Sequence, residues 1–441
     1  MARIALFLLF IAALLGLPAA AGAAPRTLSG DGAAPQLVAD AVTGRTLAVW
    51  FRTSTDHGGA VASDVVTRLV DRSGRPVAPE RTIATGALPE IGYNGGSQFS
   101  VALDRRRHRW LVAWSGHQPE MGRASCPSMG GPFDFSSGDS CAVRHREIIV
   151  RVLDRRGRPI GGERRVTATG AADDPHASAV VPSAAYDARN DAFMVAYAHT
   201  TDLANSRGVL LARRLRPDGT PLGGQRLLAL RPQPDSLNPL VRLAARPGGG
   251  FLVGFTWGEG FNDRHLFLRR LSPGGRPTGP TRRLTPADGP GAGGVDLVVA
   301  AAGKRALVRW SMARPGARSG MRARVVALDG TPVASTVALP YTVGVGPIAA
   351  APEAGGRGWL YVFARERDKQ REMLVQSATR AGRPTGPSRR ISAEDEHRPQ
   401  EPAVAPAGTG RFLTAWTEYR LNAAPARVRS RIVSGSPPAG R

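Results

Sequence analysis

Short apolar runs of four to six residues, bounded by Gly, Pro and Asp, recur along the chain after its first 23 residues, and no segment there sustains a 3.6-residue amphipathic period. Runs of this length and punctuation predict β-strands covered on both faces. One cluster, aliphatic and closed by an aromatic, appears seven times: LAVW at Trp50, LVAW at Trp114, MVAY at Tyr197, LVGF at Phe255, LVRW at Trp310, LYVF at Phe363 and LTAW at Trp416. Each is followed by a second apolar run and a glycine turn: SGRPV around Gly74, RGRPI around Gly157, DGTPL around Gly219, GGRPT around Gly275, DGTPV around Gly330, AGRPT around Gly382 and SGSPP around Gly435.

A unit reads as four strands: a small-residue run such as FSVALD or SAAYD, the aromatic strand, a third such as EIIVRVL, and a fourth after the glycine turn, such as RRVTA or RRLTP. Seven four-stranded units around an axis predict an all-β fold, a seven-bladed β-propeller, whereas tandem sandwiches would not repeat one turn motif seven times. Only six residues follow Gly435, too few for a fourth strand, while Arg26-Thr27-Leu28 matches Arg81-Thr82-Ile83, Arg283-Leu284 and Arg390-Ile391. The N-terminal segment is therefore expected to supply the outer strand of the last blade and remove the open edge between last and first. These units, LVAW followed by Arg and G-x-P-x-G, resemble the long-period β-propeller repeats of secreted bacterial proteins that mostly lack an assigned activity, over residues 25–437. The resemblance implies the fold and carries no catalytic residue.

Composition adds compartment and charge. Met1-Ala2-Arg3, the run IALFLLFIAALLGL and the close Ala21-Gly22-Ala23 have the form of a signal peptide over residues 1–23, cleaved near Ala23-Ala24, with a single propeller domain over 24–441. A secreted protein, extracellular or periplasmic, with no transmembrane segment in its mature form is the expectation. The only cysteines, Cys126 and Cys141, fall in a long insertion of the second unit, residues 117–145, and an exported chain is expected to join them as a disulfide. The formal charge is +24, and apart from Lys304 and Lys369 every basic residue is Arg. Such a field favours anionic partners, although GC-rich coding would give the same composition.

The connections separate into two faces. First-to-second and third-to-fourth strand turns are short; second-to-third and inter-blade loops are long and irregular, and carry seven of the eight histidines with many acidic residues. Loops on a rigid scaffold are where function concentrates. Two inter-blade loops share a local pattern, Asp174-Pro175-His176 and Asp395-Glu396-His397, and with His199 and His265 these make the ligand-binding candidates Asp174, His176, Asp395, His397, His199 and His265. Imidazole beside carboxylate suits a divalent metal or a general base, and solvated polar loops give the same composition; no cofactor is predicted. An Arg stands six residues before the turn glycine at Arg68, Arg151, Arg213, Arg269, Arg324 and Arg429, with Gln376 in the sixth unit, and is expected to span between blades. A second Arg column, at Arg26, Arg81, Arg165, Arg226, Arg283 and Arg390, is expected to begin the outermost strands.

Ser54-Thr55-Asp56-His57-Gly58 holds only a fragment of the sialidase Asp-box; a P-loop, HExxH and a G-x-S-x-G elbow are absent. The sequence therefore points to a monomeric binding or scaffold module that contacts an extracellular or envelope protein or an anionic glycan through the long-loop face. Specific nucleic-acid binding is not expected, since no aromatic platform accompanies the arginines. The alternative is a glycan-acting hydrolase or lyase with a carboxylate and His site at the axial mouth.

Overall fold

The computed structural model describes residues 24–53, 63–87, 99–117, 146–169, 178–202, 207–228, 240–258, 264–286, 291–300, 304–313, 320–339, 348–367, 370–393, 397–420 and 423–435. They form a seven-bladed β-propeller of four antiparallel strands per blade, with one short 3₁₀ turn, Ala354–Gly356, outside the strands. The inner strands, blades 1 to 7, are Ala33–Asp40, Phe99–Asp104, Ser178–Asp187, Val241–Ala245, Gly291–Ala300, Ala349–Pro352 and His397–Pro406. Blade 7 is completed by Arg26–Ser29, which pairs with Ala423–Ser434 in the register Arg26↔Ser430. Blades 1 and 2 share one further bridge, Ala87↔Gly116.

The aromatic that ends each second-strand cluster is at most 4 % exposed in all seven blades. Apolar clusters continue around the ring between neighbouring blades: Trp50 and Ala48 of blade 1 pack with Leu413 and Ala415 of blade 7, and Tyr361 of blade 6 packs with Leu307 and Val325 of blade 5. Both faces of the second strand of each blade are thus covered, which is why that strand reads as a continuous apolar run, while third strands such as His265–Leu271 alternate and outer strands such as Pro159–Arg165 are largely exposed.

Six of the seven turn glycines have φ between +71° and +85° and donate their N–H to the residue three before them, as in Gly219 N to Arg216 O at 2.9 Å. The turn also has to fit the preceding blade: a Cβ on Gly219 would lie 3.2 Å from Val152 Cγ2 of blade 2. The seventh differs from expectation. Gly435 follows the last strand directly and bonds Gly410 O at 2.8 Å, so it extends a ladder and makes no turn.

The misplaced glycine shifts the Arg column in blade 7 by two residues. Arg68, Arg151, Arg213 and Arg269 reach the outer edge of the preceding blade, donating from Nη1 to the carbonyls of Leu28 (2.6 Å), Ile83 (2.6 Å), Val166 (2.5 Å) and Leu228 (3.0 Å). In blade 7 Arg431, not Arg429, does this, on Ile391 O at 2.8 Å. Arg429 instead bonds Thr27 Oγ1 and ties down the closing strand. Arg324 and Gln376 stay within their own blades, on Ala334 O and Gly386 O. The second Arg column is also placed differently: Arg26, Arg81 and Arg226 begin outer strands, but Arg165, Arg283 and Arg390 end them. In blades 2, 4 and 6 the outer strand starts at the proline just after the turn.

Candidate functional site

The axis is bounded by the inner strands, and one register level on them is distinctive. The residues paired with the position just before the cluster aromatic are Gln36, Ser100, Ser183, Arg242, Asp296, Ala349 and Ala403. In the first three blades the side chain at this level bonds the next blade's backbone. Gln36 Nε2 donates to Phe99 O at 2.7 Å, Ser100 Oγ accepts from Ala184 N at 2.9 Å, and Ser183 Oγ accepts from Leu243 N at 2.8 Å. Inner strands carry unpaired backbone groups toward the axis, and a short polar side chain satisfies one of them while fixing the angle between blades.

Blades 4 and 5 replace these neutral clamps with charge. Arg309, the residue before Trp310, is 1 % exposed where the other blades carry Val, Ala or Gly, and its Nη2 pairs with Asp296, whose side chain is 41 % exposed. Burial, with neighbouring Arg242 adding to it, pushes the Arg309 guanidinium down to about 9, so it is charged at neutral pH. The ring level thus carries two arginines and one carboxylate over two adjacent blades.

On the long-loop side of this level stands Glu401, on the inner strand of blade 7, at φ +50°. Ala34 and Val181 take the same conformation at the matching bulges of blades 1 and 3, and in blade 7 the carboxylate adds side-chain bonds to it. Glu401 Oε2 accepts from Ala34 N of blade 1 at 2.9 Å, Thr417 Oγ1 at 2.7 Å and Tyr419 OH at 3.2 Å. Burial and the Glu401 charge both push the Tyr419 phenol up. Two further carboxylates at this end are buried and satisfied. Glu147, 2 % exposed, accepts from Thr167 Oγ1, and at 3.0 Å from both Thr169 N and Thr169 Oγ1. Glu418 accepts from Trp416 Nε1 at 3.0 Å and faces Arg429 Nε at 3.4 Å.

Of the residues singled out from sequence, Asp174, His176, Asp395, Cys126 and Cys141 lie outside the described residues. His397 opens the inner strand of blade 7, opposite Arg420. His199 is half-buried in the second strand of blade 3, between Ala179 and Val209. His265 opens the third strand of blade 4, where Arg283 Nη2 of the outer strand lies 2.8 Å from its ring nitrogens. His265 thus faces the rim rather than the axis. Among the described residues no three His, Cys, Asp or Glu side chains form a metal-sized group.

The axial ring was missed by a reading that followed histidines. It had a signal: in the first three blades the clamp stands four residues before an aspartate, Gln36 before Asp40, Ser100 before Asp104 and Ser183 before Asp187.

No known family model matches the chain, and no curated protein matches it in sequence. Solved structures do match in shape. An ulvan lyase, from a new polysaccharide lyase family, superposes with a TM-score of 0.57 at 10 % identity, over 94 % of this chain and 95 % of that one. A Dyadobacter fermentans protein of unknown function gives 0.51 at 11 % identity, over 95 % and 100 %. A Trypanosoma rangeli sialidase gives 0.46 at 10 % identity, over 91 % of this chain and 54 % of the sialidase. At these identities the likeness establishes the propeller fold, and the chemistry of the neighbours stays with the neighbours.

Proposed function

We propose that this chain is an exported, monomeric binding module that takes an anionic glycan or an envelope protein through its long-loop face. The observation that carries this reading is the state of three carboxylates at that end, among the described residues. Glu147, Glu401 and Glu418 are each spent on internal donors that set blade geometry, an arrangement that builds a rigid rim rather than a free acid and base. The charge of +24 supports an anionic ligand, and the leader-like first 23 residues support an extracytoplasmic setting, where a Cys126–Cys141 disulfide would brace the 117–145 insertion.

A second reading, a glycan hydrolase or lyase, is favoured by the Tyr419–Glu401 pair beside the axis with His397 at the head of the same inner strand. Thermal denaturation of residues 24–441 with acidic and neutral glycans, at low and moderate salt, tests the binding module. A ligand held at about 100 times its Kd stabilises the native state by about 2.7 kcal/mol. A salt-resistant rise in midpoint that disappears on deleting residues 120–142 is the expected result. A rise that survives the deletion, with release of reducing ends or unsaturated sugar from the same glycan, would overturn it in favour of the enzyme.

A further inference from the structure

The short-turn face carries a feature that the long-loop reading does not use. Blade 2 places seven arginines in two adjacent turns, at positions 105–109 and 155–158. Between them lies a cleft of about 370 Å³ lined by Arg107, Arg109, Asp154, Arg155, Arg156 and Arg158. That volume falls in the range of roughly 300–1,000 Å³ usual for ligand sites.

The walls are built to keep their shape. Asp154 accepts the turn N–H groups of Arg156 (2.8 Å) and Arg158 (2.9 Å) and pairs with the Arg158 guanidinium at 2.9 Å. Arg107 is forked onto Asp191 of blade 3 at 2.6 and 2.7 Å and also meets Asp104 at 3.1 Å. Arg45 of blade 1 donates to Arg155 O at 3.0 Å, bracing the second turn. The local carboxylates are therefore committed to Arg107, Arg158 and the turn backbones. Arg109, Arg155 and Arg156 line the same cleft and make no ion pair among the described residues, and the last two are exposed. Guanidinium groups match oxyanions through paired N–H donors, and these three project from turns whose backbones are braced.

We infer that this blade 2 cleft binds a linear polysaccharide bearing sulfate or carboxylate groups, on the face opposite the long loops. The cleft has no aromatic in its lining, so it lacks the stacking platform of a single-strand nucleic-acid site. Among the described residues the most exposed large apolar side chain is Val42, in the neighbouring turn of blade 1, and one side chain falls short of the apolar face a membrane-surface anchor needs. The inference is independent of the long-loop reading.

The experiment compares the wild type with R109Q/R155Q/R156Q and with R276Q/R282Q/R383Q, which removes three exposed arginines of blades 4 and 6. Binding is measured to dextran sulfate, polygalacturonate and neutral dextran, with a 20-base-pair DNA duplex and phosphatidylglycerol vesicles as competitors. At about 0.1 M salt the blade 2 triple should weaken binding to dextran sulfate or polygalacturonate by at least ~10-fold, and the control triple by less than ~2-fold. The salt slope should fall by about 2–3 in the blade 2 triple. Which of the two polymers binds identifies the oxyanion. Unchanged thermal midpoints establish that both variants are folded, and a long-loop ligand should keep its midpoint shift in both. Equal losses in the two triples, no binding of either acidic polymer by the wild type, or displacement by DNA or vesicles at equal charge would each overturn the inference.

Discussion

At the scale of the residue, the turn glycines answer to two demands, a left-handed backbone and a close neighbour on the preceding blade. Gly219, at φ +84° and against Val152, meets both, whereas Gly162 has open space around it and no positive φ. Gly219→Ala is expected to cost about 1–2 kcal/mol in urea denaturation, and Gly162→Ala to stay within about 0.5 kcal/mol. A second case concerns charge. The two hydrogen bonds from Arg107 hold the Asp191 carboxyl far below the usual carboxylate range; burial opposes this and the Tyr186 hydroxyl adds to it. A carboxyl depressed in the folded state contributes stability above its unfolded value near 4, and loses it as pH falls through the folded value. Arg107→Gln should therefore shrink the drop in melting temperature between pH 7 and pH 3. An unchanged drop would mean that other carboxylates dominate the acid limb.

At the scale of the element, the four-residue strand Arg26–Ser29 carries weight beyond its length, because it turns an open arc of blades into a closed ring. Leu28 is fully buried and its carbonyl receives Arg68, while Thr27 and Pro25 receive Arg429. Deleting residues 24–32 should lower the unfolding midpoint of the whole molecule and expose hydrophobic surface to a dye such as ANS. A circular permutant that carries residues 24–32 after residue 435 on a short flexible linker should recover most of the loss, since the same edge is covered. A permutant as unstable as the deletion would show that chain order, rather than edge closure, is what matters. The Arg clamps illustrate how far elements could be read in advance. Their spacing to the turn glycine was legible in blades 1 to 4, where turn and clamp share one hairpin. It failed in blade 7, where the hairpin is replaced by a strand from the other end of the chain and Gly435 only resembles the motif.

At the scale of the whole molecule, a +24 chain folded as a ring distributes its arginines unevenly. Many are absorbed by carbonyls between blades or by aspartates in the short turns, and blade 2 places seven of them in two adjacent turns on one face. Blade count, strand order within a blade and ring closure were written in the sequence, because each depends on local punctuation and on an apolar pattern repeated seven times. The candidate chemistry was less legible. Histidines at similar places in the linear pattern separate in space, since His199 lies within its sheet while His265 turns to the rim and Arg283. The clamp ring of Gln36, Ser100 and Ser183, the buried Arg309 beside Asp296, and the joining of two arginine turns across one blade exist only once the inner strands share an axis and neighbouring turns share a face. By itself the sequence determined the fold, since burying both faces of seven repeated aromatic strands admits a ring of blades. Tertiary structure decided which charges meet, since partners around an axis are set by register between blades rather than by distance along the chain.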